Sequence, residues 1–197
     1  MPFKTPSIEA RLTKTLTTKG VVSAPELISI LKSRTEIKRK TEAGLMISLG
    51  SGFYASPGLD PFSARVVAAS RYYPKTVISN LTALVVHGLS DESLDQVDVD
   101  IEKTTSLRNR MLRVHRVTKG ALVGKVNLDF HGYKIRVYDV ERSLCEAYKS
   151  DPQGPVFYKA LKRYIKTYSP QPQRIALYDR TLGTEVLPRL QQELANA

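Results

Sequence analysis

The chain has 197 residues, 30 of them Lys or Arg and 19 Asp or Glu, which leaves a formal charge of +11 at pH 7. With 42% hydrophobic residues, this length supports one large packed domain or two small ones, so disorder throughout is excluded. One cysteine, Cys145, and three scattered histidines exclude folds built on an internal disulfide or on a structural zinc set.

The first residues, Met-Pro-Phe-Lys-Thr-Pro-Ser, lack the apolar core of a secretion signal, and a cytoplasmic location is expected. From about Ser7 onward the chain reads as ordered. Ser7 is placed to cap a helix running to Thr18, in which Ile8, Leu12 and Leu16 recur at i, i+4 and i+8, and Gly20 stops it. Ser23 caps a short second helix, with Glu26 at the capping-box position and Ala24, Leu27, Ile28 and Leu31 as its buried stripe. A third helix spans about Ser33 to Ala43 and ends at Gly44. Leu45 to Leu49 and Phe53 to Ala55 are strand-compatible runs joined by Gly50-Ser51-Gly52, which supplies the positive φ of a tight hairpin. Three helices and a hairpin in this order predict a winged helix-turn-helix over residues 1–57.

Pro57-Gly58 to Pro61 is rich in turn formers and reads as a linker to a second domain, residues 58–197. A helix is expected near Ser63 to Arg71, broken by Pro74, and another capped by Ser79 with Leu81, Leu84, Val85 and Leu89 on one face. Leu81 to Leu89 is the longest apolar-rich stretch, and Thr82, His87 and Gly88 keep it well short of the ~18–20 apolar residues of a membrane span. Period-two alternation follows at Val97, Val99 and Ile101 against Asp98, Asp100 and Glu102, then at Leu112 and Val114, at Val126, Leu128 and Phe130, and at Tyr133, Ile135 and Val137. These read as half-buried strands of an antiparallel sheet, with Asp98, Asp100 and Glu102 on its solvated side and His131-Gly132 at the last turn. Helical stripes at Phe157, Ala160, Leu161, Tyr164 and Ile165, and at Leu187, Leu190 and Leu194, complete the chain. The expected fold class is α+β: an N-terminal winged helix-turn-helix followed by a C-terminal domain of antiparallel sheet with packed helices.

The positive excess is densest at the N-terminus, where nine basic residues stand against four acidic up to Ser56, compared with 14 against 11 over 57–150 and seven against four over 151–197. A basic chain attracts polyanions, and nucleic acid is the commonest polyanion of a cytosol. With Ile37 toward the core and ~100° per residue, Thr35, Arg39 and Glu42 of the third helix point outward and Lys38 lies at the edge of that face. Thr35, Lys38 and Arg39 then suit base edges in a major groove, while Arg34 and Lys40 flank the helix toward phosphates. Ser51, at the hairpin tip, is placed for a phosphate or the minor groove. On the helix after Pro155, Lys159, Lys162, Arg163 and Lys166 share one face, with no acidic residue between Pro155 and Pro170. Such a face meets DNA phosphates, an acidic partner, an anionic membrane or solvent alone; Lys159, Arg163 and Lys166 are taken as a second DNA contact.

The stretch from Glu42 to Pro57, followed by Val77-Ile-Ser-Asn-Leu-Thr-Ala-Leu-Val-Val-His-Gly-Leu, resembles the AbiEi-type antitoxins of bacterial type IV toxin–antitoxin systems. Leu112-Arg-Val-His-Arg-Val on a strand, and Val137-Tyr-Asp-Val-Glu-Arg-Ser-Leu-Cys-Glu-Ala-Tyr leading into a helix, agree with it. What the resemblance implies is a winged-helix DNA-binding domain, a larger C-terminal domain, repression of the protein's own operon, and opposition to a nucleotidyltransferase toxin without a stable complex.

The remaining chemistry is sparse. Asp98, Asp100, Glu102 and Lys103 on or beside one strand offer an alternative, a metal-dependent nuclease. His87, His115 and His131 have no Ser or Cys at triad spacing and read as structural. Cys145 reads as a small core residue, and no Gly-rich phosphate loop is present. The expected function is therefore a sequence-specific repressor and antitoxin whose partner is the double-stranded DNA of its own operator. No enzymatic activity, cofactor, small-molecule substrate or membrane partner is expected. A solitary winged-helix regulator with no toxin fits the same residues.

Overall fold

Capping side chains set the start of the fold. In the computed structural model, which describes residues 7–196, Ser7 accepts the Ala10 N–H and opens α1 (Ile8–Lys19), which Gly20 ends at φ 70°. Residues 1–6, on which the secretion-signal reading rested, lie outside the described residues. Val21–Ser23 form a short strand, β1, too brief to show alternation in the sequence. Ser23 ends that strand and at once closes a capping box with Glu26 on α2 (Ala24–Leu31), and Ser33 caps α3 (Arg34–Glu42). Leu12, Leu16, Leu27, Ile30, Leu31 and Ile37 pack together as the core of these three helices. The hairpin β2 (Ile47–Gly50) and β3 (Phe53–Ala55) turns through Ser51, itself at φ 51°. β1 pairs with the other side of β3, so the sheet runs β1-β3-β2 and is antiparallel throughout.

Asp60 caps α4 (Pro61–Tyr72) by accepting the Phe62 and Ser63 N–H groups, each at 3.0 Å. Ala64, Val66, Val67, Ala68 and Ala69 are all buried, because α4 lies between two sheets. Its core takes Val21, Phe53 and Ala55 from the first sheet and Ile78, Val99 and Val137 from the second. The stretch read as a linker takes part: Leu59 is buried in that core, and the Ser56 N–H donates to the Gly20 carbonyl. Tyr72 adds a polar clasp, its hydroxyl 2.6 Å from Glu26 Oε2 and 3.1 Å from the Val21 carbonyl. Tyr133 adds another by donating to the Thr17 carbonyl, its ring lying over Gly20 so closely that a Cβ there would sit 2.6 Å from the phenol carbon.

The second sheet holds β4 (Val77–Ile78), β5 (Val97–Glu102), β6 (Leu112–Val117), β7 (Lys125–Phe130) and β8 (Tyr133–Tyr138), in the order β6-β5-β4-β8-β7. It is mixed, which corrects the expectation of an antiparallel sheet: β5 runs parallel to β6, and β4 parallel to β8. Period-two alternation reports that residues lie in strands and is silent on the direction of their neighbours. Here the loop after Glu102 carries the chain back along β5, so that Val97 donates to the Met111 carbonyl and β6 starts beside the start of β5.

A second correction concerns the polar side of β5. Asp98 and Asp100 are 2% and 1% exposed, not solvated, because α5 (Asn80–Val86) and α6 (Val140–Ser150) cover that face with polar side chains of their own. α7 (Pro155–Thr167), α8 (Pro172–Leu182) and α9 (Val186–Ala195) pack around α6 over Leu84, Leu144, Phe157, Leu161, Ile175 and Leu190. Of the expected stripes, Phe157, Ala160, Leu161, Tyr164 and Leu190 are buried, while Leu194 is 44% exposed. The chain is thus a mixed α+β protein, and among the described residues no helix is long and apolar enough to cross a membrane.

The Glu26 clasp makes stability depend on pH. Burial alone would raise the Glu26 carboxyl, but hydrogen bonds from Lys19, Tyr72 and Ser23 outweigh it and hold it down to about 2. A carboxylate lowered in the folded state stabilises the fold above its ordinary value near 4.5 and loses that contribution as pH falls toward 2. Glu26→Gln is therefore expected to lower the urea midpoint at pH 6, with the gap to wild type narrowing as pH drops from 5 to 3. A gap that stays constant over that range contradicts the clasp.

Candidate nucleic-acid interface

α3 owes its position to Ile37, the one buried apolar side chain of a helix otherwise made of charged residues and threonine. Arg34, Thr35, Lys38 and Arg39 are all exposed, as the helical wheel expects. Arg39 is held by Glu36 one turn back, Nε and NH2 donating to its carboxylate with the shortest contact at 2.7 Å, and Lys38 lies 3.7 Å from Glu42. These are solvent-screened pairs that exchange at little cost for phosphate or base contacts. Arg34, Lys38, Thr41 and Glu42 line one wall of a shallow groove of about 470 Å³, and Ser48 and Tyr54 of the hairpin line the other. The structure thus brings Arg34, Lys38 and Glu42 of α3 beside the hairpin, leaves Thr35 and Arg39 exposed outside that groove, and exposes Ser51 at the hairpin tip.

Lys40 is elsewhere. Expected at a groove wall, it is instead 7% exposed, and its ammonium pairs with Glu9 of α1. Position 40 lies one turn after Ile37, on the packed side of the helix, so its side chain is buried out to the ion pair with Glu9. Lys40→Ala is therefore expected to cost roughly 1 kcal/mol of stability through lost packing, with no change in the salt dependence of any DNA binding. Urea titration and binding isotherms on the same variant check both halves.

The basic face of α7 is also less uniform than its own residues suggest. Lys159, Lys162 and Lys166 are exposed, but Arg163 pairs with Asp91, which arrives from the loop after α5. An acidic residue from a distant segment relieves the repulsion that no residue within the helix relieves. α7 packs against α6 and α9, whereas α3 packs against α2.

The densest polar cluster lies under the second sheet, and the sequence reading passed over most of it. Asp98 Oδ1 meets His115 Nε2 at 2.9 Å, Thr82 bonds both the Asp98 carboxylate and its N–H, and the Tyr138 hydroxyl donates to Asp100 at 3.0 Å. Glu146 of α6 accepts the Asn80 N–H at 2.8 Å, taking the role at the start of α5 that Ser79 was expected to fill. Arg142 lies 3.2 Å from Glu146, its guanidinium over the Tyr138 ring. A cleft of about 250 Å³ opens on Asn80, Asp98, His115 and Glu146 over an apolar floor of Leu84 and Phe157. The signal available was Arg142 and Glu146 at i, i+4, a charged pair on the same side of a helix that also carries Leu144 and Cys145.

Asp98 and Asp100 have their oxygens engaged by protein donors, and among the described residues no group of three His, Cys, Asp or Glu side chains is disposed to hold a metal ion. His87, half-buried at the end of α5, meets the Tyr138 carbonyl at 2.7 Å, and desolvation lowers its pKa. Burial likewise raises the Cys145 thiol far above its ordinary range.

Burial pushes the Glu146 carboxyl up to about 8, with Asp100 adding repulsion and Arg142 opposing both. A carboxyl raised in the folded state keeps its proton where the unfolded chain has lost it, so its contribution falls as pH rises from about 4.5 through 8. Glu146→Gln keeps an acceptor for Asn80 and removes the titration. Its stability is expected to decline less than that of wild type between pH 5 and 8, read by urea midpoints; equal declines contradict this assignment.

Compared with known proteins, the chain matches no family model and no curated sequence. It is similar in structure to the crystal structure of the RV2827C protein from Mycobacterium tuberculosis, with a TM-score of 0.56 at 17% identity, over 93% of this chain and 74% of that one. At that identity the likeness is one of fold.

Proposed function

We propose that the chain is a sequence-specific DNA-binding repressor whose first 57 residues form a winged helix-turn-helix, acting in the cytoplasm as an AbiEi-type antitoxin on its own operon. The observation that carries this reading is the order α1-β1-α2-α3-β2-β3 with sheet order β1-β3-β2, in which the exposed Arg34 and Lys38 face the hairpin across an open groove while Thr35 and Arg39 lie exposed on the same helix. In that arrangement α3 enters the major groove, Arg39 and Lys38 read base edges, Arg34 meets a phosphate and the hairpin follows the backbone. The Arg39–Glu36 pair opens on binding, since the same guanidinium fork fits guanine O6 and N7. The resemblance in the Glu42 to Pro57 and Val77 to Leu89 stretches supports the antitoxin role, with a nucleotidyltransferase toxin as an opponent that forms no stable complex.

The test is fluorescence anisotropy on a duplex from the region upstream of the protein's own reading frame, with a random duplex as control. Arg39→Ala is expected to cost ~1–3 kcal/mol on the upstream duplex and much less on the random one. Equal losses on both remove Arg39 from base reading, and a wild-type protein that binds neither removes the function.

A further inference from the structure

Among the described residues, the largest concentration of positive charge without a carboxylate partner lies on neither α3 nor α7. Between residues 103 and 119 stand Lys103, Arg108, Arg110, Arg113, Arg116 and Lys119, six cations with no Asp or Glu among them, against a net charge of +11 for the whole chain. All six are exposed. Arg113 lies 3.6 Å from the buried Asp98; among the described residues no carboxylate pairs with the other five. The segment comprises the return loop after β5 and the strand β6, which forms an edge of the second sheet. One or two cations suffice to keep an edge strand from pairing with another chain. Six without an acid are more than that purpose needs.

The placement of the loop is specific. Asn109 donates to the Tyr73 hydroxyl at 2.7 Å, and the Tyr73 ring stands 6.2 Å from that of Phe53, edge to face. Phe53 is the first residue of β3, directly after the hairpin turn at Gly50-Ser51-Gly52. Leu107 joins the same core as Leu49 of β2. Arg108 and Arg110, on either side of Asn109, are therefore anchored beside a hairpin whose own tip offers only a serine between two glycines. From there Arg116 continues the row, sharing with Arg108 and Arg110 an open groove of about 580 Å³ floored by Leu107, Leu112 and Val114.

We infer that Arg108, Arg110 and Arg116 form a phosphate-contacting track on the far side of the hairpin from α3, which supplies the cation the hairpin tip lacks: Ser48 and Tyr54 face α3, whereas Leu49 and Phe53 face the core that Leu107 joins. The inference rests on the DNA-binding function proposed above and adds a second segment to its site. A duplex seated on α3 that crosses the hairpin meets these arginines beyond it. Their guanidinium forks match phosphate oxygens and carry no base information, so the track adds affinity and salt dependence without specificity.

The experiment compares wild type, the triple variant R108Q/R110Q/R116Q and Arg39→Ala by anisotropy on the upstream duplex and on a random duplex of equal length, between 50 and 300 mM KCl. The triple variant is expected to bind both duplexes roughly tenfold or more weakly near 0.1 M salt and to lose about two to three units of log–log salt slope, at about 0.9 per phosphate contact. Its unfolding temperature stays that of wild type, because all three side chains are exposed. Arg39→Ala, by contrast, loses affinity selectively on the upstream duplex. A folded triple variant with wild-type affinity and slope on both duplexes overturns the track and leaves the function standing. If that variant instead loses only the binding of a polyglutamate peptide, the surface serves an acidic protein segment and the track is again overturned. Wild-type protein that binds no duplex overturns both readings.

Discussion

A helix buried on nearly its whole circumference organises this protein. α4 touches all three strands of the first sheet and three strands of the second, and its alanines at 64, 68 and 69 let both approach its backbone. A larger side chain at any of these positions would have to push a sheet away, at ~1–3 kcal/mol for a typical overpacked site. The two sheets thus share one core, and the polar clasps of Tyr72 and Tyr133 close over its margins. Where the hairpin points relative to β6 follows from that shared core.

Beneath the second sheet the constraint is electrostatic. Two carboxylates of β5 sit where burial without partners would cost several kcal/mol each, and donors from several elements meet them: His115 and Arg113 from β6, Thr82 and Asn80 from α5, and Tyr138 from β8. The satisfaction is incomplete on the helix side. Arg142 is 2% exposed, and its Nε and NH1 find no hydrogen-bond partner, leaving the Tyr138 ring face as their neighbour. A polar layer of this kind ties α5, α6 and the sheet to one arrangement, because any slip of a strand by one residue would exchange Asp98 and Asp100 for Val97 and Val99.

What was legible in the sequence was local. Ser7, and Ser23 with Glu26, mark helix starts by a hydrogen bond made within three residues, and the structure has both, whereas Ser79, expected in the same role, makes no such bond. The hairpin at Ser51 and the turn at His131-Gly132 are likewise set by backbone angles that few residues accept. The misses are the features that depend on what lies opposite. β4 has two residues and exists because β5 and β8 flank it; β6 runs parallel because a loop carries it back. Alternation in β5 predicts one wet face and one dry, yet a strand covered on both sides by helices shows the same pattern when one cover is polar. Lys40 and Arg163 went the same way, since their partners, Glu9 and Asp91, lie 31 and 72 positions away. The α3 residues fell where the wheel placed them because exposure on a helix is a local property, whereas the basic run from Lys103 to Lys119, plain in composition, acquires meaning only once Asn109 fixes it beside Phe53.

The contact between Gly20 and Tyr133 bears on modularity. The N-terminal unit ends α1 on a residue with no side chain, and the phenol ring of a residue 113 positions later occupies the space a side chain would fill. A joint of that kind transmits torque: α1 cannot rotate about its end without displacing the ring, and the ring sits on the β7–β8 turn. The N-terminal unit is therefore poorly suited to transplantation onto an unrelated partner by simple fusion, as beads-on-a-string regulators are. Its orientation is inherited from the sheet it rests on, and a drift in either surface would have to be matched by a drift in the other.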